Sequence, residues 1–208
     1  MYRARERKIA IFTVMFGKSL PGLNTNRCMK GLLLSFLFFT SSLLCSQISV
    51  CKDGITKFTS EAPLELIKAQ SDKTSGVIDP ASKSVAFSVA VESFEGFNSG
   101  LQREHFQENY METSKYKTAT FKGKIIEDID FTKNGTYPIR VKGTFNIHGT
   151  EKEKIIKGKI TVRDKELLIE SSFEVPLEDH NISIPKVVNQ KIASVIKVEV
   201  KATLKPKV

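Results

Sequence analysis

Three histidines, His105, His148 and His180, and three cysteines, Cys28, Cys45 and Cys51, are the side chains of this 208-residue chain best suited to chemistry. No histidine stands near another histidine or a cysteine at the spacing that holds a metal, so no metal site is expected. His148 falls on the polar side of an alternating stretch, which gives it a solvated or turn-stabilising role. His105 lies beside Arg103 and Glu104, where it could touch a ligand head group or serve as an acid or base. Glu127, Asp128 and Asp130 fall at turns or wet positions, and nothing marks a carboxylate pair. A Gly-rich phosphate loop and a serine nucleophile elbow are both missing from the sequence. The polar residues therefore point away from an enzyme.

The apolar residues carry more information. From Thr136 to Val162 the sequence reads TYPIRVKGTFNIHGTEKEKIIKGKITV. Tyr137, Ile139, Val141, Gly143, Phe145 and Ile147 alternate with Arg140, Lys142, Thr144, Asn146 and His148. After a turn at Gly149-Thr150, Ile156, Gly158, Ile160 and Val162 alternate with Lys157, Lys159, Thr161 and Arg163. A period of two places every second side chain on one face of a strand, so this is a hairpin with one dry and one wet face. The same alternation marks Val85–Val91, Ala119–Ile125, Leu167–Leu177 and Ile196–Leu204. Two weaker strands are expected around Ile55–Thr59 and Leu64–Ala69, with Pro63 as a breaker between them. Gly76–Pro80 reads as a turn, and Asn134-Gly135 as a hairpin turn. Lys165-Glu166 reads as another turn, and Pro185 as part of a loop. Ser99 and Gln102 have capping-box spacing, so one short helix is expected from Gly100 to about Met111, with Leu101, His105 and Phe106 on its inner side.

Successive strands joined by short connections pair as an antiparallel meander. About eight of them can close into a barrel, which removes the exposed edges and leaves an interior filled by side chains or by one small ligand. An open sandwich is the alternative. Gly123, Gly143 and Gly158 share the inward register, where they leave space or mark the bends that closure needs.

The formal charge of +9 belongs mostly to the beginning of the chain. Of 32 basic and 23 acidic residues, seven and one lie within 1–46, which leaves 25 and 22 and a net of +3 for residues 47–208. The later lysines are spread along the wet edges of strands, so no nucleic-acid footprint is expected. Residues 29–46, MKGLLLSFLFFTSSLLCS, follow the order of a secretory signal peptide: a basic start, an apolar run, then small residues. The 14 residues Gly31–Leu44 are shorter than the ~20 that span a bilayer as a helix, although an uncleaved helix is the alternative. Cleavage near Ser46-Gln47 and a true start at Met29 are expected. Acylation of Cys45 competes with that cleavage, but the preceding Leu44 is large for a lipoprotein signal. With Cys51 alone remaining, the domain at 47–208 must be stable without an internal disulfide.

The segments LQREHFQENYMETSKYKTATFKGKI (101–125) and VKGTFNIHGTEKEKIIKGKITV (141–162) together resemble the YceI-like family of periplasmic or secreted lipocalin-like proteins. The resemblance rests on Arg103, His105 and Phe106, on Lys115-Tyr116 and Thr120-Phe121, and on Gly143, Ile147, His148 and Gly149, and it extends over about 55–206. Family members commonly open with a Trp-bearing strand, whereas this chain has no Trp. The resemblance implies an all-β, antiparallel, eight-stranded barrel with one short helix at its mouth and an apolar channel for a polyisoprenoid or quinone-like lipid. The residues expected to line that channel are Phe87, Val89, Val91, Phe121, Ile125, Val141, Phe145, Ile147 and Phe173, with His105 at the mouth. The expected protein is periplasmic or secreted. Its partner is a hydrophobic small molecule; no nucleic acid, membrane span or other cofactor is expected, and a homodimer is one arrangement this allows. The rival expectations are a packed structural barrel without ligand and a lipid-modifying enzyme that uses His105.

Overall fold

The computed structural model describes residues 47–207, so the expected leader, its start at Met29 and the fate of Cys45 lie outside the described residues. Eight antiparallel strands form a closed barrel in chain order, with β8 returning to pair with β1. They are β1 (Ser49–Glu61), β2 (Leu66–Asp79), β3 (Ser84–Ala90), β4 (Thr118–Ile125), β5 (Gly135–Ile147), β6 (Thr150–Arg163), β7 (Glu166–Pro176) and β8 (Val195–Pro206). Closure satisfies the ladder groups that the sandwich alternative would have left on open edges.

The helix stands where the capping box places it. Helix α1 (Gly100–His105) continues into one π-helical turn, Phe106–Tyr110. Ser99 Oγ accepts from the Gln102 backbone N–H at 3.1 Å, and Gln102 Oε1 accepts from the Asn98 N–H at 3.0 Å. These two bonds satisfy donors that a helix start leaves unpaired.

Four local expectations are corrected. Gly76–Asp79 is not a turn but the last part of β2, paired with β3, and the connection is made by residues 80–83. Strand β2 is long because its polar run continues the ladder through a bulge at residues 72–73, which lets both Ser71 and Thr74 point inward, where they are buried. Asn134-Gly135 is not a two-residue hairpin turn, since residues 126–134 form the whole β4–β5 connection. Asn134 instead braces the next turn, accepting from the Asp164 N–H at 3.1 Å. That turn is Asp164-Lys165, one residue earlier than expected, with φ of 50° and 71°. The β5–β6 turn also sits one residue earlier, at His148-Gly149, with φ of 52° and 69°. Positive φ at both central residues matches the right-handed twist of the flanking strands.

The inward glycines serve closure rather than space. A Cβ on Gly123 would lie 2.5 Å from the Lys142 carbonyl oxygen and 2.9 Å from the Cα of Gly143, its cross-strand partner. A Cβ on Gly143 would collide with the Lys122 carbonyl. β4 and β5 thus approach more closely than side chains allow, and the sheet bends there.

Packing is uneven along the barrel axis. Away from the helix, Ile78, Ile125, Ile160, Val162, Leu167 and Leu204 form a solid plug, with Ile160 and Leu204 fully buried. Toward the helix, Phe87, Phe121, Phe173, Val198 and Val200 hold the inward register yet are only half-buried. Their exposed faces look into a hollow.

Candidate functional site: an apolar cavity at the barrel mouth

The hollow is a cavity of about 530 Å³. It lies within the range of small-molecule sites. Phe87, Val89, Val91, Phe121, Val141, Phe145, Ile147, Phe173 and His105 all stand on its wall. Ile125 does not; it is 4 % exposed within the plug, because β4 reaches the solid end of the barrel at that residue.

Four phenylalanines make the upper wall. Phe58 of β1 lies within 5.2–5.9 Å of the ring centres of Phe94, Phe97 and Phe106, and it stacks on Phe106 with 22° between the ring planes. Phe97 and Phe106 are 5.1 Å apart. Such tilted and offset pairs are favourable beyond their area burial. The helix expectation places Phe106 on the inner face, but no period assigns a face to Phe94 or Phe97. The signal there was a pair of aromatics, Phe94 and Phe97, in a segment with no other reason to hold them. Ile182 and Val188 complete the mouth from an irregular connection where no periodicity marks them, beside Met111 and Leu177 at the ends of the expected helix and strand.

Polar groups in the wall satisfy one another. Thr56 Oγ1 and Thr74 Oγ1 are 2.7 Å apart and buried. Ser60 Oγ accepts from the Ala193 N–H at 2.9 Å, and behind the wall Ser71 Oγ and Ser93 Oγ are 2.6 Å apart. Among the described residues, Arg103 Nε is the one buried side-chain nitrogen or oxygen without a partner, and Arg103 is not part of the cavity wall. Thr56, Thr74 and Ser60 thus spend their hydroxyls within the protein, and the wall is mainly apolar, so recognition there is chiefly by shape and apolar contact. Glu65, Gln102, His105 and Lys191 of the lining are groups that could meet a polar head. Gln102 Nε2 already donates to Glu65 Oε1 at 2.9 Å, and His105 is exposed.

Two histidines hold the mouth together. Of the two roles expected for His148 the structure gives it the turn-stabilising one, since its side chain is 11 % exposed within the β5–β6 turn. Its Nδ1 lies 3.1 Å from the His180 carbonyl oxygen and its Nε2 lies 3.2 Å from Glu112 Oε1, so it ties the turn to two other mouth segments. Bonds from Lys115 and then His148 hold the Glu112 carboxyl below its ordinary range. The Tyr116 ring meets His148 edge-on at 4.7 Å and occupies the place a Cβ on Gly149 would take. Gly149 is thus required by both its φ of 69° and this contact. His180 is fully buried, with Nδ1 3.3 Å from the Thr150 carbonyl oxygen and its ring edge-on to Phe145. Burial lowers its pKa from the ordinary 6.5.

The barrel wall has a seam. The β6–β7 ladder runs only from Gly158↔Ser171 to Arg163↔Glu166. Toward the mouth the strands part, and side chains bridge them instead. Ser171 Oγ donates to the Lys157 carbonyl at 2.7 Å, and the Lys154 ammonium donates to the Glu174 carbonyl. Lys154 also stands 5.8 Å above the Phe173 ring. Burial lowers its pKa in spite of Asp179 and Glu174 nearby. Among the described residues no group of three or more histidine, cysteine or carboxylate side chains is arranged to hold a metal.

Comparison with known proteins agrees with this architecture. None of the curated proteins matches the chain. Among solved structures, a polyisoprenoid binding domain from Saccharophagus degradans implicated in plant cell wall breakdown has a TM-score of 0.66 at 13% identity, over 77% of this chain and 99% of that one. BcnA of Burkholderia cenocepacia has a TM-score of 0.60 at 14% identity, over 73% and 95%. The YceI protein of Campylobacter jejuni has a TM-score of 0.52 at 19% identity, over 65% and 82%. Likeness at these identities speaks for the fold. The model of the YceI-like domain matches residues 55–204, β1 through β8, and the chain therefore belongs to the YceI-like domain family.

Proposed function

We propose that this protein binds the hydrocarbon tail of an isoprenoid- or quinone-like lipid inside the barrel and carries or shields it without converting it. The observation that carries this reading is the cavity of about 530 Å³ above a packed plug, walled mainly by apolar side chains. The rival of a packed structural barrel needs a filled interior, and the half-buried inward residues Phe87, Phe121 and Phe173 argue against it. The description of the Saccharophagus domain as polyisoprenoid-binding supports the ligand class. Against the enzyme rival stands His105, an exposed residue at the mouth of a cavity whose wall is mainly apolar.

A periplasmic or secreted location is part of the proposal. It rests on the signal-like order of residues 29–46. The experiment is a titration with a long-chain isoprenoid quinone beside its head group alone. Saturable binding of the long-chain compound with no measurable binding of the head group is expected. Equal affinity for the two would refute tail recognition.

A further inference from the structure

Apolar side chains scattered singly over a surface are ordinary, whereas clustered ones mark a partner. Among the described residues eleven large apolar side chains are exposed, and the three most exposed are Val187 at 87 %, Leu64 at 67 % and Leu101 at 61 %. They come from three segments far apart in sequence, and all three segments form the rim of the cavity mouth. The Leu64 N–H donates to the Gln190 carbonyl at 2.9 Å, which joins the β1–β2 turn to the β7–β8 connection. Gln102 Nε2 donates to Glu65 Oε1, which joins the same turn to helix α1. Leu101 also lines the cavity, as does Val188 beside Val187, so the apolar lining continues without a break onto the outer surface.

The charge around this rim is close to balanced. Glu65 and Glu104 face Arg103, Lys186 and Lys191 across segments 62–65, 99–105 and 186–192. A rim of this kind has little long-range attraction for an anionic surface, and any docking must come from apolar contact. We propose that the rim docks on an uncharged lipid bilayer, with Leu64, Leu101 and Val187 entering the boundary between head groups and acyl chains and the cavity opening onto the hydrocarbon. Lys186 and Lys191 lay their stems along that boundary and keep their ammonium groups in water. A tail then passes between membrane and barrel without crossing water. The purpose of docking rests on the reading of the barrel as a tail binder; the docking itself is measured independently.

The test compares the protein with the double variant Leu64→Ser, Val187→Ser, which leaves the cavity-lining Leu101 in place. Both positions are exposed, so the fold is retained. Co-sedimentation with phosphatidylcholine vesicles is measured at low and high salt, beside binding of a soluble alkyl probe to the cavity. The wild type is expected to sediment with the vesicles at both salt levels and with no need of anionic lipid. The double variant should partition roughly tenfold more weakly, because each apolar side chain lost from the boundary removes a favourable transfer. Its affinity for the soluble probe should be unchanged. The proposal is overturned if the wild type stays in solution, if the variant sediments equally well, or if sedimentation requires anionic lipid and vanishes in salt. It is also overturned if the substitutions break up a dimer, which would make a second copy the occupant of the rim. Loss of probe binding by the wild type with docking intact would instead refute the tail-binding function.

Discussion

If the cavity measures the tail, filling part of it must shorten the tail it accepts. Val198 and Val200 of β8 face inward opposite Phe58 and Thr56 of β1, and both are only half-buried. Replacing both by Phe adds about eight heavy atoms, and at about 30 Å³ for a water-sized group these take up roughly 240 Å³. The cavity of about 530 Å³ accommodates about 18 such groups in the wild type, and about ten would remain. Each CH₂ moved out of water contributes about 0.8 kcal/mol, so affinity should rise about fourfold per carbon until the tail outgrows the space. The assay is a series of alkyl quinones of increasing chain length, titrated by displacement of a fluorescent probe. Wild-type affinity should climb and level off near ~18 carbons, and V198F/V200F should follow the same line and level off near ~10. The substitutions fill a void rather than a packed core, so their overpacking cost should fall below the usual ~1–3 kcal/mol. A plateau at the same length in both proteins, or an affinity indifferent to chain length, would refute the reasoning.

Three further outcomes follow from the same geometry. Thr56→Val should cost about 1–3 kcal/mol by leaving the Thr74 hydroxyl buried without its 2.7 Å partner, and adding Thr74→Val should recover most of that in chemical denaturation. Gly143→Ala should destabilise by several kcal/mol because its Cβ meets the Lys122 carbonyl, whereas Gly100→Ala, with nothing within 4 Å, should gain about 0.5–1 kcal/mol; thermal melts compare them. The buried His180 favours the neutral form, so its pKa is higher in the unfolded chain than in the fold. Its contribution is present above the ordinary 6.5 and is lost as pH falls below it, which predicts a falling Tm between about pH 6.5 and 5 that flattens in His180→Gln, ahead of the carboxylate losses at lower pH.

The outline of the barrel was legible because most of its strands alternate cleanly, from Val85–Val89 to Ile196–Leu204, and one dry face per strand leaves closure as an economical solution. Strand β2 was harder to see. Its inward Ser71 and Thr74 break the apolar alternation, and only the tertiary fold supplies Ser93 and Thr56 to satisfy them. The β5–β6 turn was misplaced by one residue because His148 takes a positive φ, a conformation uncommon for a residue with a Cβ. The lower wall of the cavity followed from register. The four-phenylalanine upper wall did not, since Phe94 and Phe97 lie in a connection where no period exists. Ile125 shows the limit of the alternation: it gives the face of a residue and not its height along the barrel, and height separates plug from cavity.

The central claim is met most directly by releasing whatever the barrel holds. The purified protein should be extracted with organic solvent and the extract weighed by mass spectrometry. The account predicts one long-tailed apolar molecule per barrel, or an empty barrel that takes up a long-chain quinone in that ratio. A barrel that yields nothing and takes up nothing would contradict it.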